Sequence, residues 1–152
     1  MKPVTSGENK RKHLEFIQGA ITRMANNAFS IKKWAVSLIA ILSTIVTATD
    51  SQGTVIVALA LMVLMFWGLD GFFLATERRF IKEFQHVSAK SEEEIDFVIN
   101  PLNYKNEKCC TWSSATFSKT VAPFYGGLLV MIIVIGLLYN GGCLGGLLGC
   151  QK

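Results

Sequence analysis

Three apolar blocks that contain no Lys or Arg, set apart by charged stretches, limit what this chain can fold into more than any other feature. They run over 34–49 (WAVSLIAILSTIVTAT), 54–74 and 121–139. Each approaches the ~20 residues that a helix needs to cross ~30 Å of hydrocarbon. A soluble fold would have to bury all three inside 152 residues, about one domain's worth of chain. The composition agrees: 51% of residues are hydrophobic and the mean hydropathy is +0.39, yet the chain keeps 15 Lys and Arg and 11 Asp and Glu. Apolar and charged residues are therefore segregated along the chain. The predicted fold is all-α and integral to a membrane, with three transmembrane helices.

Orientation follows from Lys and Arg alone. Seven precede the first block, none lies in the loop Asp50–Gly53, seven lie between blocks two and three, and only Lys152 follows the third. This asymmetry puts the N-terminus and the long central loop inside and the C-terminus outside. The basic N-terminal stretch resembles the start of a signal peptide. However, a long polar and amphipathic segment comes first and no small-residue cleavage site precedes Asp50, so no removal is expected.

The chain then divides, as a single membrane domain over 1–152, into an amphipathic helix (12–29), span one (34–49), span two (54–74), a helical cytoplasmic loop (75–120), span three (121–139) and a Gly-rich outer tail (140–152). In the first of these, Leu14, Ile17, Ile21, Met24 and Ala28 fall on one helical face, opposite Arg11, Lys12, Glu15 and Arg23. Such a helix can lie on anionic lipid or pack under the bundle, and Asn26-Asn27 offers a bend before span one. Span two is expected to run on through ATERRFIKEFQHV. Ser91 with Glu94 has the spacing of a capping box for a short helix ending before Asn100-Pro101.

Asp70 is the one carboxylate inside an apolar block, and it needs a partner. Lys33 lies 17 residues before Asp50, and Asp70 lies 17 residues after Gly53. An antiparallel hairpin brings the two to the same depth, so a Lys33–Asp70 ion pair is predicted, with separate snorkelling of each side chain as the alternative. Ser37, Thr44, Thr47 and Ser51 recur at helical spacing on span one, a stripe suited to helix packing or to lining a pore. Beyond span three, Gly141, Gly145 and Gly149 chain along one face with Gly142 and Gly146 beside them. This small-xxx-small spacing lets helix backbones touch, and it predicts an oligomer contact, with a flexible tail as the plain alternative.

Catalytic chemistry is poorly supplied. Arg79 and His86 fit the loose Arg-x(4–6)-His spacing of HEPN ribonucleases, but a helix below a membrane carries such residues for solvation alone. His13 and His86 are the only histidines, the adjacent Cys109-Cys110 lack zinc-site spacing, and no phosphate loop is present. Cys143 and Cys150 fall on the outer side, where a disulfide can form if the compartment oxidises. The expectation is a protein that is not an enzyme, with no catalytic, cofactor or metal site. Its expected partners are the lipid bilayer, further copies of itself and a soluble cytoplasmic protein, with no direct nucleic-acid contact.

Three stretches carry a family resemblance: HLEFIQGAITRMANNAFSIKKWAV (13–36), FWGLDGFFLATERRF (66–80) and WSSATFSKTVAPFYGGLL (112–129). Together they resemble a widespread group of small bacterial multi-span inner-membrane proteins, similar to the membrane accessory proteins of phage-defence loci of the RADAR and type VI-B CRISPR types. The Gly/Cys tail from Gly141 falls outside that pattern. The resemblance implies an inner-membrane accessory or effector in anti-phage defence and carries no catalytic residues. Two functions are therefore expected to compete. One is an oligomeric effector acting by pore formation or membrane perturbation; the other is an anchor or scaffold for a soluble cytoplasmic partner.

Overall fold

The computed structural model describes residues 6–46 and 52–140, and among them every regular element is helical. Helix α1 spans Ser6–Val46, α2 spans Gln52–Ala89, α3 is the short Trp112–Thr116, and α4 spans Val121–Asn140. At 1.5 Å per residue the 41-residue α1 and the 38-residue α2 are each roughly 60 Å long, about twice the thickness of a bilayer core.

These two helices form one antiparallel hairpin along their full length, because each keeps an apolar stripe at helical spacing from end to end. The stripe starts near the N-terminus of α1, where Ile17 is fully buried against Val87 of α2 and Ile95, with Leu14, Ile21, Phe80 and Phe84 around them. It continues through Ala28 and Ala35 to Ile39 in a second core, with Leu59 and Val63 of α2 and Val121, Tyr125 and Ile132 of α4. The amphipathic segment is thus continuous with the apolar stretch that begins at Trp34, within the single helix α1. No bend occurs at Asn26-Asn27: both side chains point outward and the backbone stays helical.

Helix α2 is the middle element, flanked by α1 and α4. Pro123 is tolerated in the first turn of α4, where a missing N–H costs no intrahelical bond. Between α2 and α4 the chain is mostly irregular. Ser91 N donates to Glu94 Oε2 (3.2 Å), one limb of the expected box, but the helix it starts is only the single 3-10 turn Glu92–Glu94. The chain then packs Ile95 inward and passes through Phe97, whose φ of 56° is left-handed. A bulky residue there costs roughly 1–2 kcal/mol, and the Phe97 ring rests edge-on against His13, 5.5 Å between centroids.

The exterior changes along the hairpin. Around the half that runs to Val46 and Gln52, termed the outer half for its place in the hairpin, Trp34, Val36, Ile41, Val57, Leu61, Leu64 and Met65 are exposed, as are Val130, Ile133 and Leu137 on α4. The most apolar window of α2 is only 22% buried within the chain. This helix is long and apolar enough to cross a membrane, and α4 is a shorter apolar helix. Around the other, inner half the exposed positions of α1 are mostly polar, among them Arg11, Lys12, Glu15, Gln18 and Arg23, with Phe16 exposed between them.

Candidate functional site

The strongest candidate lies where the two halves meet, at the crossing of α1, α2, α3 and α4. Asp70 is fully buried there, and Lys32 Nζ reaches its Oδ2 at 2.6 Å. The partner is therefore Lys32 and not Lys33, a correction with a simple cause. Depth in a hairpin can be counted from the turn, but successive residues also rotate 100° about the helix axis. Lys32 follows Ala28 by four residues and precedes Ala35 by three, so it shares their buried face. Lys33 points outward and lays its ammonium over the Phe29 ring, 4.9 Å from the centroid.

Asp70 is not saturated by Lys32. Its Oδ1 has no hydrogen-bond partner, and the buried Tyr125 hydroxyl faces the carboxylate without closing a well-formed hydrogen bond. Beside the pair is a cavity of about 250 Å³ lined by Ala28, Phe29, Leu74, Glu77, Thr120 and Val121. Taking a carboxylate out of water costs several kcal/mol, repaid only by a close countercharge. The single well-placed ammonium of Lys32 provides it, and so couples the rotation of α1 to that of α2.

A second set of contacts clips α3 onto α2. Trp67 Nε1 donates to Thr116 O (2.8 Å), and Trp112 Nε1 donates back to Gly68 O (3.0 Å). Gly71 allows this approach: a Cβ there would overlap the Thr116 side chain and lie 3.1 Å from Thr116 Cα. The Trp67 ring also stacks on Tyr125 (6.2 Å, 10° between planes) and meets Phe117 edge-on. About two turns beyond Gly71 on α2, Arg78 Nη1 donates to Cys109 O (3.0 Å) and Arg79 Nε donates to Cys110 O (3.1 Å). Lys82 pairs with Glu107 at 3.2 Å. Sequence reasoning took these arginines as solvated, positive-inside charges. The spacing Gly68-x-x-Gly71 within an apolar block was the available sign that another backbone comes close.

The remaining predicted residues are spread widely. Ser37 and Thr44 are exposed on α1, turned away from α2, and Thr44 Oγ1 bonds back to Ile41 O at 2.6 Å. Thr47 and Ser51 of that stripe lie outside the described residues, as do Gly141, Gly142, Gly145, Gly146, Gly149, Cys143 and Cys150. His86 lines a cavity of about 160 Å³ with Glu83, Asp96 and Tyr104, while Arg79 is engaged with the Cys110 carbonyl. Burial pushes the Tyr104 phenol above its ordinary value, and the nearby charge of Glu83 adds to the effect. The stretches 13–36, 66–80 and 112–129 converge at this crossing, through Lys32, Asp70, Trp67, Trp112, Thr116 and Tyr125. No protein-family model, no curated protein and no solved structure matches the chain.

Proposed function

We propose that this chain is a three-span accessory protein of the bacterial inner membrane that holds a soluble cytoplasmic partner on a rigid inner stalk. The observation that carries the reading is that α1 and α2 continue, still packed, well past their apolar halves. They form a stalk with its own core of Ile17, Val87 and Ile95. A minimal anchor has no need of it. Near its tip the stalk exposes Phe16 beside Phe97, with Val98, Ile99 and Leu102 following. Large apolar side chains grouped on an otherwise charged surface are a common mark of a protein contact. The charge asymmetry along the chain supports placing this end inside.

The test is site-specific photocrosslinking in the native host. A photoreactive residue at position 16 should give one discrete adduct with a soluble protein, whereas one at position 57, on the apolar exterior, should give none. Adducts at 57 alone would remove the scaffold reading.

A second reading, the oligomeric effector, is favoured by the outward Ser37–Ala40–Thr44 stripe, which no part of the described chain covers. Close contact between protomers through such a stripe fits membrane helix association, and pore formation in anti-phage defence would follow from it. Ion flux through liposomes that Ser37→Leu/Thr44→Leu abolishes would support that function.

A further inference from the structure

Cys109 and Cys110 are adjacent thiols held by their own backbone carbonyls. Cys110 is fully buried, Cys109 is exposed, and their sulfurs are 3.3 Å apart. The carbonyl oxygens of the same two residues are the acceptors for Arg78 and Arg79, two of the polar contacts that pin this segment to α2, beside the Lys82–Glu107 pair. Cys110 N is itself bonded to Glu107 O at 2.9 Å, so the peptide between the cysteines is held at both ends. Changing the sulfurs therefore acts on the clip.

We propose that Cys109–Cys110 is a redox modification site, a vicinal dithiol that a small two-electron oxidant closes to a disulfide, loosening residues 105–116 from α2. To reach an S–S bond of ~2.05 Å the sulfurs must approach by about 1.2 Å. The resulting eight-membered ring contains the Cys109–Cys110 peptide, and a planar trans peptide does not fit it without twisting. Twisting that peptide swings the Cys109 carbonyl away from Arg78.

The order of events follows from the two environments. Burial, followed by the hydrogen bond with Cys109, pushes the Cys110 thiol up to about 11, so it stays protonated near neutrality. The exposed Cys109 reacts first, because the thiolate is the nucleophile and access decides which thiol meets the oxidant. With a small disulfide, the Cys109 sulfur attacks one sulfur of the reagent, forms a mixed disulfide and releases one thiolate. Cys110 then gives up its proton, attacks the Cys109 sulfur and expels the second thiolate, which takes that proton. Two protein thiols are oxidised and one reagent disulfide is reduced to two thiols. With a peroxide, Cys109 first becomes a sulfenic acid with loss of one water, and Cys110 displaces a second.

The experiment uses full-length protein in lipid nanodiscs with Cys143→Ser/Cys150→Ser, so that only Cys109 and Cys110 remain of the four cysteines. Oxidised glutathione and hydrogen peroxide are the two reagents, in separate arms. The tryptic peptide 109–119 should lose two hydrogens and carry no glutathione, and Cys110→Ser should instead trap glutathione on Cys109. The same peptide is read from the unsubstituted chain, so the result does not depend on how the variants fold. Closure in either arm supports the site, and the faster arm identifies the oxidant class. In limited proteolysis, cleavage after Lys105 and Lys108 should rise on oxidation by about tenfold, what one charge-assisted hydrogen bond is worth. Arg78→Gln should show that rate while still reduced. A stable adduct on Cys109 without ring closure in both arms overturns the site. A closed ring with unchanged cleavage overturns its link to α2.

Discussion

The outer and inner halves of the α1–α2 hairpin have similar interiors and opposite exteriors. Both are packed by aliphatic and aromatic side chains on the facing stripes: Ala35, Ile39, Leu59 and Val63 in one, Ile17, Val87 and Ile95 in the other. Outside, the first half shows Val57, Leu61, Leu64 and Met65, and the second shows mostly charged side chains, Arg11, Lys12, Glu15 and Arg23, around the exposed Phe16. The packed face of a helix thus says which neighbour it has, and the opposite face says which solvent. A single helix can pass from one solvent to the other without a break if its inner stripe is continuous. The two halves meet at Lys32–Asp70 inside the hairpin and at Phe29, Lys33 and Trp34 on its surface.

The comparison breaks most severely at that boundary. Asp70→Leu leaves the Lys32 ammonium without its countercharge and should cost about 3–5 kcal/mol, measured by unfolding of the detergent-solubilised protein. Lys32→Met/Asp70→Leu removes both charges and should recover most of that loss. If the double variant is as unstable as the single one, the pair is not what makes Asp70 tolerable.

A matched pair of substitutions sharpens the contrast of exteriors. Leu61→Arg, on the outer half, should cost roughly 2.5–3.5 kcal/mol of membrane insertion. Gln18→Arg, on an exposed position of the inner half, should stay within about 0.5 kcal/mol. Equal effects would mean that both halves meet the same solvent. Gly71→Ala should cost about 1–3 kcal/mol, because the new methyl must displace Thr116. Near-ultraviolet circular dichroism should show the loss through Trp67 and Trp112. The smallest effect belongs to the far end of the stalk, where Lys10 Nζ bonds Lys90 O at 2.7 Å and Ser88 O at 3.2 Å. Lys10→Ala should cost about 1 kcal/mol and raise amide hydrogen exchange near Ala89.

Much of this architecture was legible in the sequence, since it depends on periodicity. The face Leu14, Ile17, Ile21, Met24, Ala28 is the one turned to α2, and the apolar block 121–139 forms the single helix α4, Val121–Asn140. What could not be read were features that depend on rotation or on tertiary approach. Lys33 was paired with Asp70 because depth was counted without phase, although the face that ends at Ala28, carried on by four residues, points to Lys32. The Asn26-Asn27 pair suggested a bend by its composition, but two polar residues on the outer face of a packed helix do not interrupt its hydrogen bonds. The clip on α3 joins residues about 31–49 positions apart through backbone carbonyls, and a carbonyl has no sequence signature. Only the glycines that make room for it, Gly68 and Gly71, are visible in advance.

The most direct test of the central claim, that one continuous hairpin passes from lipid into cytoplasm, is labelling of single-cysteine variants in intact cells with a membrane-impermeant maleimide. One variant carries Ser51→Cys in the tight loop and no other cysteine, and the other keeps only Cys109. The account predicts that position 51 is labelled from outside while Cys109 reacts only after the cells are permeabilised. Labelling of Cys109 in intact cells, or protection of both positions until lysis, would contradict it.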